Sequence, residues 1–382
     1  VQFADDLICA ALRGESPPWP QLTVSGAEQA LCRRAAFHGV EGLLHTEGKP
    51  RWPPAVVETL RERAVQLAMW ELRHQQVLAE TLSALDLEGI QPVLIKGTAL
   101  AYGLYRDPSL RTRGDTDLLV PPAAKGTAQD VLLALGYRRN LGVSGEFISY
   151  QASYTREHPE GGAHTMDLHW KINNSELLSR LFGYEELRRQ AQPLPRLCTH
   201  AIATSAVHSL LIACMHRCTH KRNPYHVNEV AYYDADRLIW LTDIDLLATS
   251  LDNAQWHEFV ALAVAKGLAG ACLDGMRAAT ACFHTAYPAD VPAALEAAGT
   301  DEAASVYLGA GKLRQHWMDF RALGTPARQL LFLRESLVPP PAYMRQRFSQ
   351  PEGSLLWLYL RRAAGGLIRP LAASRSAGRT GH

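Results

Sequence analysis

The residues best suited to chemistry are three acids and the short segment Lys96-Gly97-Thr98. Asp115 and Asp117 stand two positions apart and lead into the apolar run Leu118-Leu119-Val120. Side chains on a strand alternate between faces, so both carboxylates point the same way. Two like charges on one strand face repel and suit a sheet interior poorly. A divalent cation between them removes the conflict, and oxygen ligands of this kind suit Mg²⁺ or Mn²⁺. Asp167 is the third acid, in the alternating segment Thr165-Met166-Asp167-Leu168-His169-Trp170. If that strand lies beside the first, the three carboxylates converge as metal ligands. Asp167 is then also placed to take the proton of an attacking hydroxyl.

Metal-bound phosphates need further donors. Val93-Leu94-Ile95 reads as a short strand that turns at Lys96-Gly97-Thr98 into a helical pattern. A helix start leaves backbone N–H groups without intrahelical partners at the positive end of its dipole. Gly97 lets a phosphate come close to the backbone, and Thr98 adds a hydroxyl. Lys96 stands where it can meet phosphate or pair with an Asp. Singly, each piece has an ordinary explanation: a turn into a helix, turn chemistry for Asp-x-Asp, a capping role for Asp167. Their order, each on fitting secondary structure, makes the combination specific.

This combination resembles the nucleotidyltransferases of the DNA polymerase β type. More narrowly, it is similar to a bacterial group of uncharacterised nucleotidyltransferases. The matching residues are Lys96-Gly97-Thr98-Ala99-Leu100, Leu104-Tyr105, Arg111-Thr112-Arg113-Gly114-Asp115-Thr116-Asp117-Leu118-Leu119-Val120 and Asp167-Leu168-His169-Trp170. Cys214-Met215-His216, His220 and Arg237–Ile244 extend the likeness, which covers roughly residues 70–280. Thr98 replaces the commoner Ser, and Thr116 stands where an apolar residue is usual. The resemblance implies a metal-dependent enzyme with Asp115, Asp117 and Asp167 at its centre. Lys96, Gly97, Thr98 and Arg111 would lie on the nucleotide side, and His216 and His220 would face the cleft where the acceptor enters. It also implies an NTP substrate with Mg²⁺ or Mn²⁺.

The elements that must position these residues follow from periodicity. Residues 1–90 read as helices at Ala4–Leu12, Ala27–Leu44 and Val56–Leu87, interrupted by Pro17, Pro18, Pro20 and the segment Pro50–Pro54. Residues 91–195 read as the α/β core. They carry a helix over Ala123–Leu135, a hairpin of Phe147–Arg156 and His164–Trp170 around residues 159–162, a helix over Leu177–Gln190 and a linker at Gln192–Arg196. Residues 196–340 are helical again, with periodic runs at Thr204–Cys218, Ala231–Ser250 and Gln255–Ala286. Residues 341–382 form a basic tail with Arg345, Arg347, Arg361, Arg362, Arg369, Arg375 and Arg379. Its segment Ser354–Leu360 suits either a last helix docked on the bundle or an amphipathic helix on an anionic surface. The expected fold is therefore α+β: a polymerase β-like core with a small mixed sheet, flanked by N-terminal helices and a C-terminal helical bundle.

The 382 residues, 47% of them apolar, suffice for a large core, and the net charge of +1 gives no global field for nucleic acid. Seven scattered cysteines read as apolar filler in a reducing compartment. With no signal peptide or bilayer-length apolar run read, a cytoplasmic enzyme is expected. Cys214-x-His216-x-Cys218-x-His220 invites a zinc reading, but on one helix the Cys pair and the His pair point about 160° apart, so a tetrahedral site cannot collect all four from it. Arg113 is expected in a structural salt bridge, Asp243 in a cap or a pair across domains, and His169 as a structural histidine on the face of Asp167. The acceptor, whether peptide, small molecule, protein or RNA, is not legible. A sugar-nucleotide glycosyltransferase also uses Asp-x-Asp but does not require Lys96-Gly97-Thr98 or Asp167. A catalytically inactive binding protein would have no need of the intact acids.

Overall fold

The structure is a computed structural model that describes residues 2–19, 26–46, 52–142, 145–159, 161–221, 225–227, 230–232, 236–299, 302–350 and 353–362. Pro20, Pro50, Glu160, Arg369, Arg375 and Arg379, used in the sequence argument, lie outside these residues. The chain opens with α1 (Gln2–Leu12), α2 (Ala27–His38), α3 (Glu41–Thr46) and the long α4 (Pro54–Leu87). Pro54 sits in the first turn of α4, where its missing N–H costs nothing. The next elements are β1 (Val93–Ile95), α5 (Lys96–Gly103), β2 (Asp115–Leu119), α6 (Lys125–Ala134), β3 (Arg138–Arg139), β4 (Gln151–Glu157) and β5 (Ala163–His169). Then come α7 (Tyr184–Arg189), β6 (Gln192–Pro193), β7 (Ile202–Ala203) and α8 (Ala206–Lys221). A small hairpin, β8 (Tyr225–Val227) and β9 (Val230–Tyr232), precedes α9 (Leu238–Ser250), α10 (Asn253–Ala265) and α11 (Ala269–Phe283). The last elements are α12 (Asp290–Ala297), α13 (Ala303–Gly309), α14 (Lys312–Ala322), α15 (Pro326–Leu337) and α16 (Pro341–Arg347).

The fold is α+β. Among the described residues one mixed sheet runs in the order β3-β4-β5-β2-β1-β7-β6. Strand alternation sorts its side chains into two cores. Leu94, Leu118, Val120, Met166 and Leu168 join the second half of α4 and α6 on one face. Val93, Ile95 and Leu119 face the other way, into a larger core. That core takes in α1, α2, α8, α9 and α11 together, so the N-terminal helices and the later bundle share one interior. Asp115 and Asp117 have the parity of Leu119 and so stand on the bundle-facing side of the sheet.

Several expected elements differ in extent. The helix expected over Leu177–Gln190 is broken: a 3₁₀ turn at Leu178–Arg180 stops, Gly183 is extended, and α7 begins only at Tyr184. The periodic run Gln255–Ala286 splits at Gly267, whose φ of 67° is left-handed and ends α10. Of the run expected from Ala231, Ala231 and Tyr232 belong to β9, residues 233–235 lie outside the described residues, and α9 begins at Leu238. Gln192–Arg196, expected as a linker, contributes β6, which pairs with β7 and carries the sheet beyond residue 195. In the tail, residues 355–362 are helical. They are tied back by Tyr359 Oη to the Pro339 carbonyl at 2.6 Å and Arg362 to the Ser336 carbonyl at 2.8 Å. No helix of the described residues is long and apolar enough to cross a membrane.

Candidate active site

The centre of the sheet builds the site. β2 runs antiparallel to β1 and parallel to β5, and the register sets Asp117 directly beside Asp167 and Ile95 beside Asp117. A cleft of about 350 Å³ opens over this point, between the sheet and helices α8 and α9. Asp115, Asp117, Asp167, His169, Lys96, Gly97, His216 and His220 all line it.

Asp117 is buried and twice paired. Lys96 Nζ donates to its Oδ1 at 2.6 Å, and His169 Nε2 lies 2.7 Å from the same oxygen. Burial alone would raise its pKa, but Lys96 and His169 outweigh burial and hold the carboxyl well below the usual range. Asp167 accepts from Gln151 Nε2 at 3.0 Å, and Gln151 is itself held by Asn174. Asp115 is reached by solvent at the cleft floor. Loss of hydration there, with the charges of Asp117 and Asp167, pushes its pKa up to about 7. Ligand atoms of Asp117, Asp167 and His169 all lie within 4.8 Å of one another. His169 Nδ1 is buried with no hydrogen-bond partner among the described residues. Two converging carboxylates, Asp117 and Asp167, and an imidazole with an orphaned nitrogen are a donor set that fits a divalent cation.

Lys96 adopts a left-handed φ of 57° at the junction of β1 and α5. A non-glycine residue there is strained by about 1–2 kcal/mol, and the turn aims its ammonium at Asp117. No side chain caps the N-terminus of α5, and its first residues, Lys96 and Gly97, line the cleft. A Cβ at Gly97 would meet Arg113 at 3.6 Å and Arg111 at 3.8 Å, ordinary contacts. Neither backbone nor packing therefore requires glycine at this position, and Gly97 has no left-handed φ.

Of the other two side chains expected on the nucleotide side, Arg111 lines the cleft while bound to Asp243, and Thr98 is bound behind it. Thr98 turns its hydroxyl away from the cleft. It is 2.8 Å from Thr116 Oγ1 and accepts from Arg113 Nε at 2.9 Å. The reason is helical geometry: with Lys96 and Gly97 on the cleft, the next residue of α5 faces α4. Arg111 is buried and grips Asp243 of α9 through Nε at 2.7 Å and Nη2 at 2.6 Å. Tyr105 Oη reaches the same carboxylate at 2.8 Å. Asp243 is thus the cross-domain pair expected, and Arg113 pairs with Glu71 of α4 at 2.7 Å.

His216 and His220 form the helical wall, with ring centroids 4.3 Å apart and both rings against Trp240. Burial and the nearby Lys96 charge lower the pKa of His220 to about 4 and keep His216 well below its ordinary value, where His220 also contributes. Both rings are neutral at pH 7. Thr116, whose role the sequence leaves open, is fully buried on the opposite face and binds His74 Nε2 at 2.7 Å. His169, expected as a structural histidine on the face of Asp167, stands with Asp117 and Asp167 among the groups that could hold a metal ion. Gln151 carried no signal, because only pairing of β4 with β5 brings it to Asp167.

The profile of the family described as uncharacterised nucleotidyltransferase matches residues 26–284. The chain belongs to that family. It is accordingly a nucleotidyltransferase, and the match spans α2 through α11, the whole of the sheet and the cleft walls. No curated protein matches the chain. Among solved structures, it is similar to an antigenic nucleotidyltransferase-like protein from Paracoccidioides brasiliensis, at 14% identity and a TM-score of 0.28. That match covers 55% of this chain and 96% of the other.

Proposed function

We propose that this nucleotidyltransferase moves a nucleoside monophosphate from an NTP to an acceptor hydroxyl or phosphate and releases pyrophosphate. The observation that carries the reading is the register that sets Asp117 beside Asp167, with Asp115 on the same face. Asp115, Asp117 and Asp167 would hold Mg²⁺ or Mn²⁺, with His169 as an additional donor. Such an ion, when bound, neutralises triphosphate charge and favours the ionised acceptor. The N–H groups of Gly97 and Thr98 in the first turn of α5 receive the β- and γ-phosphates. Lys96 lies 2.6 Å from Asp117 and can exchange that carboxylate for a phosphate oxygen when the acid turns to a cation. The acceptor enters along His216, His220 and Trp240, where a neutral imidazole can accept its hydroxyl hydrogen bond. Asp167 takes the proton as the acceptor oxygen bonds to the α-phosphorus. The bond from that phosphorus to the bridging oxygen breaks, and pyrophosphate leaves with its electrons.

Family membership favours nucleotidyl over glycosyl transfer, which needs no phosphate cradle at α5. Arg111 acts in this reading through Asp243, by fixing α9 against the strand loop, rather than by direct grip on phosphate. The acceptor is a peptide, small molecule, protein or RNA of a bacterial cytoplasm, and the basic tail is a further candidate contact with an anionic surface. The deciding experiment incubates the protein with Mg²⁺ or Mn²⁺, cell extract and NTPs labelled at the α- or γ-phosphate. Transfer of α-label, lost in Asp117→Asn, supports the reading and traces the acceptor. Transfer of γ-label means a kinase, and transfer from a labelled UDP-sugar means a glycosyltransferase.

A further inference from the structure

Cys9 of α1 and Cys282 of α11 meet with their sulfurs 2.7 Å apart, although 273 positions separate them in the chain. Cys9 is half-buried and Cys282 buried behind it. A disulfide needs its sulfurs at about 2.0 Å and its Cβ atoms directed toward each other. Here the two side chains already converge on one point, so a small closure suffices. Arg13, one turn on from Cys9, anchors the same spot by donating from Nη1 to the Cys282 carbonyl at 2.8 Å. Such convergence of two thiols from distant helices is not what apolar filler produces. Packing alone would keep two sulfurs at van der Waals distance.

We propose that Cys9 and Cys282 are a reversible disulfide site that staples the N-terminal helix to the bundle helix α11. The half-exposed Cys9 is the sulfur a small oxidant reaches, and Cys282 is the resolving thiol. With a peroxide as oxidant, the Cys9 thiolate attacks a peroxide oxygen, the O–O bond breaks, and hydroxide leaves. Cys282 then attacks the resulting sulfenic sulfur, the S–S bond forms, and water departs with the Cys282 proton. Two thiols are oxidised, and one peroxide is reduced to two waters. The same contact with Cys282, helped by the Arg13 charge, outweighs burial and holds the Cys9 thiol below its ordinary pKa. The staple acts on the cleft indirectly, since α11 packs on α8 and α9, which carry His216, His220 and Trp240. The proposal does not depend on the reaction assigned to the cleft.

The test uses the full chain, reduced with dithiothreitol, desalted, and treated with hydrogen peroxide or diamide. Peptide mapping without reductant is expected to find a Cys9–Cys282 cross-linked peptide that dithiothreitol removes. The oxidised protein is expected to melt about 5 °C or more above the reduced one, because the bond constrains a very long loop of the unfolded chain. Cys9→Ser should melt like the reduced wild type and show no gain on oxidation. Failure to form that peptide under conditions that alkylate Cys9, or a cross-link through Cys214, Cys218 or Cys272 instead, overturns the proposal. The wild-type map decides the matter even if Cys282→Ser does not fold.

Discussion

Asp115 is the residue whose chemistry is most open to a direct measurement. Its carboxyl ionises near pH 7 because dehydration and the charges of Asp117 and Asp167 disfavour a further negative charge. A cation must displace that proton to use the carboxylate. We therefore expect Mn²⁺ affinity to rise about tenfold per pH unit below pH 7 and to level above it. Calorimetry in buffers of different ionisation enthalpy should count about one proton released per ion at pH 6. Asp115→Asn should flatten the pH dependence, and a slope that survives in that variant would place the titrating group elsewhere. Gly97 gives a second measurement. Since a methyl group there meets only ordinary contacts, Gly97→Ala should leave thermal stability unchanged or slightly raised. Nucleotide affinity should fall about tenfold or more in the presence of Mg²⁺ if phosphate approaches that backbone. Unaltered affinity would remove α5 from the phosphate site.

At the scale of elements, α4 and the sheet are joined by polar groups as well as by their apolar core. His74 stacks on Trp70, reaches His164 Nδ1 of β5 at 3.1 Å and Thr116 Oγ1 of β2 at 2.7 Å. Thr116 continues to Thr98, Arg113 and Glu71, so the helix behind the site is tied to both strands that carry its acids. Thr116→Val would leave His74 and Thr98 without that partner in a buried place. A loss of about 1–3 kcal/mol in chemical denaturation is expected, against almost none for an exposed Thr→Val. Acid should also loosen this contact. Burial, with the charges of His158, Arg156 and Arg73, lowers the His164 pKa from 6.5 to about 4. Below pH 6.5 the unfolded chain takes up a proton that the folded chain refuses, so this contribution is intact above pH 6.5 and lost progressively down to about pH 4. The loss is up to about 3 kcal/mol. Stability measured from pH 7 to 4 should fall less steeply in His164→Phe, and equal slopes would rule out this histidine as the source.

Across the whole molecule, the sheet and the helical bundle are locked by the buried pair of Arg111 and Asp243. Arg111→Ala strands the Asp243 carboxylate with Tyr105 as a remaining partner, at a cost of about 3 kcal/mol or more. Combining it with Asp243→Asn removes the stranded charge, and the double variant should regain part of that loss. A strictly additive double-mutant cycle would show that the two residues do not act as a pair. The effect on the enzyme is expected mainly through the position of α9 and its Trp240, seen as a raised KM with a smaller change in kcat. The shared core of α1, α2, α8, α9 and α11 also means that the N-terminal helices are structural partners of the cleft wall rather than an appendage.

Periodicity in the chain was enough to place Asp115 and Asp117 on one strand face, Asp167 and His169 on another, and Lys96 at the junction of β1 and α5. It was enough because each of those statements concerns a side chain relative to its own element, which the two-residue strand repeat and the helix turn fix locally. The long helix α4 was legible for the same reason. Its break residues and those of β2 are prolines and glycines whose effect on the backbone is local. What periodicity does not carry is which distant side chain comes to meet a given one. The neighbour of Asp117 depends on the parallel register of β2 with β5, and the partner of Arg111 lies 132 positions away. The Thr98 hydroxyl could face phosphate or scaffold until α4 was seen to cover that side of α5. The thiols of Cys9 and Cys282 looked like filler in two separate helical segments, because only the packing of α1 on α11 brings them together. Such contacts are settled by burying both faces of the sheet at once, a condition on the whole chain that no single segment states.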